Sequence, residues 1–227
     1  MVTTISKQRL ESLGVLGLDC SKYQKDISWD KAKAASIDFA FIKITEGNSY
    51  SEDNIYNVKN RVIEAQKNKI KIGYYHFARP SDNIIPEDDA KAEITNVLNH
   101  LKLLPKVELP FVLDIEAYAN NNIWVDADKV DHMNRFINTF ISGLKEQGIS
   151  VIIYSYRSFI DANTNHTFGS NPLWLAAYID NPEVNLPNLP LGWTDWKIWQ
   201  FTEKGKIDGY VGDIDLNIMK KDFYGKF

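Results

Sequence analysis

Residues 109–116 read LPFVLDIE. Five of the first six are apolar or proline, and two carboxylates, Asp114 and Glu116, close the run. A short apolar run of this kind reads as a strand buried on both faces, as in a parallel sheet covered by helices. Side chains at i and i+2 of a strand point the same way, so Asp114 and Glu116 are expected to share a face. Like charges held close raise one proton affinity. A carboxylic acid kept protonated near neutral pH in this way can act as a general acid. The plain alternative is a strand end carrying two solvated acids.

Working outward, eight segments read as strands: 15–19, 39–45, 71–77, 110–116, 150–155, 173–178, 196–201 and 213–217. Helical patterns separate several of them. Asp53 is placed to cap a helix running to about Asn68, with Ile55, Val58 and Val62 on one face. Pro86 opens a second, with Ala90, Ile94, Val97, Leu98 and Leu101 at helical spacing. A third spans about 129–147, its face built from Met133, Phe136, Ile137, Phe140, Ile141 and Leu144, with Gly148 just past its end. Strands alternating with helices argue for a parallel sheet, either a barrel or an open doubly wound one, and eight strands favour the barrel. Pro182, Pro187 and Pro190 leave no room for a helix before the seventh strand. Residues 202–212 are too few for a standard helix between the last two. The expected fold is a single α/β domain over 1–227: an N-terminal extension, 1–14, then an irregular TIM-like barrel of mostly parallel strands over about 15–217. Its helix layer is incomplete in the last third.

Composition bounds the function without naming it. The chain has 227 residues, 44% hydrophobic, with a formal net charge of −4 and no basic tract. That balance favours neither nucleic acid nor an anionic membrane as a partner. Cys20 is the one cysteine, so no intramolecular disulfide can form, and a packed core thiol is the expectation. The N-terminal residues MVTTISKQRLESLG lack the apolar core of a signal peptide, and no segment has the length of a membrane span. No histidine pair has zinc-site spacing, and no phosphate-binding loop occurs. Neither a metal nor a cofactor is therefore expected.

In parallel β/α folds, chemistry gathers at the C-terminal ends of the strands. Asp19 ends the first strand, Asp114 and Glu116 end the fourth, and Asp215 lies on the eighth. Strands one and eight are neighbours in a closed barrel, and strand four lies across the mouth. Four carboxylates are expected to face one pocket.

These residues resemble the family 25 glycoside hydrolases, the Chalaropsis-type muramidases found among phage endolysins and bacterial autolysins. The motifs run in family order from Gly17 to Asn217: GLDCSKYQKDISW, FAFIKITEGNSY, GYYHFARP, VLDIE, IYS, LWLAAY, IWQFT and DIDLN. Cys20, Lys25 and the late position of Asp53 depart from the pattern, and none of them removes a carboxylate. The resemblance implies a flattened, irregular β/α barrel. It also implies hydrolysis of the β-1,4 bond between N-acetylmuramic acid and N-acetylglucosamine in bacterial peptidoglycan. A monomer is the expectation for the chain, apart from the resemblance.

On that reading Glu116 is the general acid and Asp114 the source of its raised proton affinity. Asp114 also orients the substrate 2-acetamido group, whose oxygen would attack as an internal nucleophile. Direct attack by an Asp is the competing scheme, and the sequence leaves the choice open. Asp19 and Asp215 hold the hydrogen-bond network and contact the sugar. Trp29, Phe39 and Phe41 are expected in the core. Tyr75, Phe77, Tyr154, Trp174 and Tyr178 lie toward strand ends in the matching motifs and are expected to contact sugar. Arg79 is matched to a lactyl or peptide carboxylate, with Glu46 and Gln200 as supporting partners. The chain would be made in the cytoplasm and reach the wall by holin-type release or another delivery route. The other readings are a chitinase-like glycosidase, a metal-dependent barrel hydrolase whose acids bind a hard cation, and a non-catalytic wall-sugar module.

Overall fold

The computed structural model describes residues 6–24, 26–51, 55–117 and 127–227. Nine strands form one sheet among these residues: β1 (Val15–Cys20), β2 (Phe39–Glu46), β3 (Tyr50–Ser51), β4 (Lys71–Phe77), β5 (Phe111–Asp114), β6 (Val151–Tyr156), β7 (Leu173–Ala176), β8 (Ile198–Gly205) and β9 (Ile214–Met219). They run in the order β1-β9-β8-β7-β6-β5-β4-β2-β3, and β1 also pairs with β2, which closes an eight-stranded barrel with β3 added at the tip of β2.

The pairings from β1 through β2, β4, β5, β6 and β7 to β8 are parallel. The last strand differs. β9 runs antiparallel to both β8 and β1. With no helix between β8 and β9, the chain cannot return to the far end of the barrel and instead turns back as a hairpin. β8 extends to Gly205, beyond its sequence-read end at 201. The strand over 110–116 is also shorter than its apolar pattern, because pairing stops at Asp114.

Alternation along each strand sorts side chains between two cores. Inward-facing Phe39, Phe41, Val112, Ile152, Trp174, Ile198 and Met219 fill the lower barrel. Outward-facing Leu18, Ile42, Ile72, Leu113, Ile153, Leu175 and Ile218 pack under the helices, and Cys20 lies buried in that outer layer. The two inner phenylalanines need space that neighbouring strands leave free. A Cβ at Gly17 would lie 2.4 Å from the Phe39 ring, and one at Gly73 would lie 2.3 Å from Phe41. Burying each such ring contributes roughly 1.5–3 kcal/mol.

Helices α1 (Lys7–Leu13), α2 (Trp29–Ala34), α3 (Ile55–Lys67), α4 (Pro86–Leu101), α5 (Ala127–Glu146), α6 (Arg157–Asn163) and α7 (Lys221–Tyr224) surround the barrel. Pro86 stands at the start of α4, followed by Glu87, Asp88 and Asp89, which complement the positive end of the helix dipole. Met133, Phe136, Ile137, Phe140 and Leu144 of α5 are buried, and Gly148 beyond it takes φ 74°. Val58 and Val62 of α3 and Trp29 of α2 are buried too. The short helices α1, α2, α6 and α7 escape a periodicity reading because 4–7 residues barely complete a turn or two. Asp53 and Lys25 lie outside the described residues. Among the described residues, no helix is long and apolar enough to cross a membrane.

Candidate active site

Follow each strand upward from the apolar lower barrel and the inward side chains turn polar. Phe41 is followed by Lys43, Val112 by Asp114, Ile152 by Tyr154, Ile198 by Gln200 and Gly17 by Asp19. On antiparallel β9 the same layers read backwards, from Met219 through Asn217 to Asp215. The polar layer lines a pocket of about 270 Å³ formed by Asp19, Lys43, Tyr75, Phe77, Asp114, Glu116, Tyr154, Trp174, Tyr178, Gln200, Glu203 and Asp215. All four carboxylates read from the sequence meet there. Asp215 arrives from the N-terminal half of its strand, because β9 is reversed and so brings its start to the mouth.

Asp19 and Asp215 face one another in the antiparallel register. Asp19 Oδ2 accepts hydrogen bonds from Gln200 Nε2 at 2.9 Å and Asn217 Nδ2 at 2.8 Å. Burial raises the proton affinity of Asp19 against these bonds. Burial, the Asp19 charge and the bond shared with Asp19 push Asp215 up to about 9. Asp215 therefore holds a proton at neutral pH and donates it to Asp19. Gln200 Oε1 accepts from Tyr154 at 2.9 Å and Tyr178 at 2.8 Å, which fixes its amide.

The other pair is less well satisfied. Asp114 is buried, and its Oδ1 has no hydrogen-bond partner among the described residues. Burial, then the charge of Glu116, raises its proton affinity well above the ordinary carboxylate value, and Lys43 opposes the rise. Glu116 lies two residues beyond the end of β5's pairing and is pushed up to about 7 by burial and then by Asp19, again opposed by Lys43. From the sequence alone, Asp114 is the expected source of the Glu116 shift. Burial is the larger cause, and the coupling between the two is expressed on Asp114.

The remaining sequence-read residues divide. Tyr75, Phe77, Tyr154 and Tyr178 line the pocket, and Tyr178 is about half exposed. Trp174 forms its floor: it is 2% exposed, its ring lies 4.7 Å from that of Phe41, and its Nε1 donates to Asn217 Oδ1 at 2.8 Å. That leaves its faces to the barrel core. Arg79 and Glu46 sit on the rim beside the pocket, paired with each other through Arg79 Nε at 2.7 Å. Burial works against the Glu46 charge, but Lys43 and Arg79 hold its proton affinity below the ordinary value.

Two lining residues, Lys43 and Glu203, went unread. The signal for Lys43 was present, since it alternates with the inward Phe39 and Phe41. Glu203 had none, because its place depends on β8 running past Phe201. His76 is fully buried outside the barrel wall, bonded to Thr45 at 2.8 Å and Glu93 at 2.7 Å. Among the described residues, no group of three or more His, Cys, Asp or Glu is placed to hold a metal ion. A larger groove of about 740 Å³ lies near the C-terminal ends of α4 and α5. Its Glu108 is engaged by Gln66 and the Ile72 amide.

A half-buried Glu with raised proton affinity, a buried Asp beside it and tyrosine walls suit the cleavage of glycosidic bonds. The model of glycosyl hydrolases family 25 matches residues 18–210. The chain is similar to Lysozyme M1 of Streptomyces globisporus, at 30% identity over 91% of this chain and 68% of that one. It is 28% identical to the N,O-diacetylmuramidase of Chalaropsis, over 90% of this chain and 95% of that one. The crystal structure of the bacterial lysozyme from Streptomyces coelicolor superposes with a TM-score of 0.73 at 27% identity, covering 91% of this chain and 92% of that one. The chain belongs to glycosyl hydrolase family 25 and is a glycoside hydrolase of the lysozyme class.

Proposed function

We propose that this enzyme hydrolyses bacterial peptidoglycan at the β-1,4 bond between N-acetylmuramic acid and N-acetylglucosamine, with Glu116 as general acid. The observation that carries the reading is the coupled Asp114–Glu116 pair in a tyrosine-walled pocket. An ordinary Glu, with a pKa near ~4.3, is only ~0.2% protonated at pH 7. With its pKa at about 7, roughly half of Glu116 carries the proton, a gain of roughly 250-fold in the donor form. Asp114 lines the pocket with Glu116 and has an oxygen without a partner among the described residues. On this reading it orients the substrate acetamido group, whose oxygen then attacks. Tyr75, Phe77, Tyr154 and Tyr178 contact the sugars, and Arg79 at the rim meets a lactyl or peptide carboxylate. The substrate lies outside the membrane, so the enzyme reaches it by holin-type release or another delivery route.

Digestion of purified peptidoglycan tests the reading. After borohydride reduction, mass spectrometry is expected to find new reducing ends on muramic acid. Ends on glucosamine, or released peptides with intact glycan, would overturn it.

A further inference from the structure

Lys43 is the cation in the pocket lining; the acids lining it are Asp19, Asp114, Glu116, Glu203 and Asp215. Its position is built by the backbone. Phe39 and Phe41 face the barrel interior, so alternation turns Lys43 inward above them. In a regular strand, residues three apart face opposite sides. Here the register against β4 slips between Lys43 and Thr45, a bulge that returns Glu46 to the side of Lys43. Glu46 Oε2 accepts from Lys43 Nζ at 2.5 Å, and Glu46 Oε1 accepts from Arg79 Nε at 2.7 Å. The Arg79 amide is held in turn by the buried Glu93 at 3.0 Å. The ammonium lies 5.1 Å from the Phe77 ring centre and 5.8 Å from that of Tyr50. A flexible side chain is thus held in the pocket that the acid pair also lines.

We propose that Lys43 is a positioning residue that holds the Asp114–Glu116 pair to a single shared proton. The charge requirement follows from the chemistry. The pair must donate one proton while retaining one negative charge, and a doubly protonated pair can do only the first. The groups facing it are Asp19 on β1, Glu46 on β2, Tyr75 on β4, Tyr154 on β6, Tyr178 after β7, Glu203 on β8 and Asp215 on β9, acids and phenols throughout. Arg79 and Lys22, the cations on the rim, are engaged by Glu46 and Tyr50. Burial drives both carboxyls toward the protonated form, and Lys43 is the charge that opposes it on each. A unit charge acting across a pocket of this size moves a titration by on the order of one to two pH units.

The proposal rests on the assignment of Glu116 as acid and Asp114 as its partner, so its test reads the carboxyls as well as turnover. Carboxyl ¹³C NMR titrations and pH–rate profiles on peptidoglycan would be recorded for the wild type, Lys43→Met and Lys43→Arg. Lys43→Gln replaces the Met variant if thermal unfolding finds the latter misfolded. Without the ammonium, both titration steps and both limbs of the profile are expected to rise by about one unit or more, and the rate on the acidic limb to fall roughly ten-fold. Lys43→Arg is expected to bring both back toward wild type. If the Met variant titrates like wild type, or loses rate equally at every pH, the proposal is overturned. If the wild type leaves peptidoglycan uncut while both steps still move, the role of Lys43 stands and the substrate reading fails.

Discussion

On the β1–β9 side of the pocket, Asp215 donates to Asp19, which Asn217 and Gln200 also tie down. On the β5 side, Asp114 leaves an oxygen without a partner among the described residues, and Glu116 stands past the end of the strand pairing. Both pairs are carboxylates withdrawn from water. In one, donors within the fold oppose the desolvation of Asp19; in the other, Asp114 Oδ1 has no donor among the described residues. A satisfied network is rigid and has little left to gain from a ligand. An unsatisfied carboxyl keeps a raised proton affinity and a free acceptor, which substrate groups can meet. The contrast separates the wall that shapes the pocket from the wall that reacts.

The sharpest way to break this contrast is Glu116→Gln. The rate of reducing-end release is expected to fall by about 10³-fold or more, since the variant keeps the shape and loses the proton. Its folding should not suffer. Glu116 has a raised affinity in the folded state, so its stability contribution is full below the ordinary Glu value and is lost as pH rises through about 7. Above that pH the variant should be at least as stable as wild type in urea titrations. Near-normal turnover would refute the acid assignment.

On the satisfied wall the order should reverse, with stability hit harder than chemistry. Asn217→Ala strips one donor from Asp19 and the acceptor of the buried Trp174 indole. A loss of about 2–4 kcal/mol in urea unfolding at pH 7 is expected, with a rate loss smaller than that of Glu116→Gln. If the rate collapses while the unfolding midpoint holds, the two walls are not divided as argued.

The smallest effect sharpens the assignment of the shared proton. Asp215→Asn can donate to Asp19 as the protonated carboxyl does, so stability near pH 5 should barely change. Wild type should lose the Asp215 contribution as pH rises from the ordinary carboxylate range through about 9, because the folded affinity is raised. The variant lacks that decline, so its thermal midpoint should gain on wild type between pH 5 and 9. Parallel curves would place the proton elsewhere.

Much of this was legible in the chain. Apolar runs ending in acids marked β1 and β5, the helical spacing after Pro86 marked α4, and the prolines after Ile179 accounted for the missing helix there. These are local signals of periodicity and backbone stereochemistry, and they suffice to read a barrel with its acids at one end. The reversal of β9 was not legible. A six-residue strand reads the same in either direction, and only the hairpin from β8 decides that Asp215 starts at the mouth rather than ending there.

The sequence by itself determined which residues alternate inward, which carboxylates belong together and which family the chain joins, because period-2 and period-3.6 patterns survive in one dimension. Only the tertiary structure decided where the protons sit. Proton affinity depends on burial and on charges from strands far apart in the chain. So Asp19 rather than Asp114 came to press on Glu116, Asp215 to hold the proton beside Asp19, and a bulge in β2 to bring Glu46 onto Lys43.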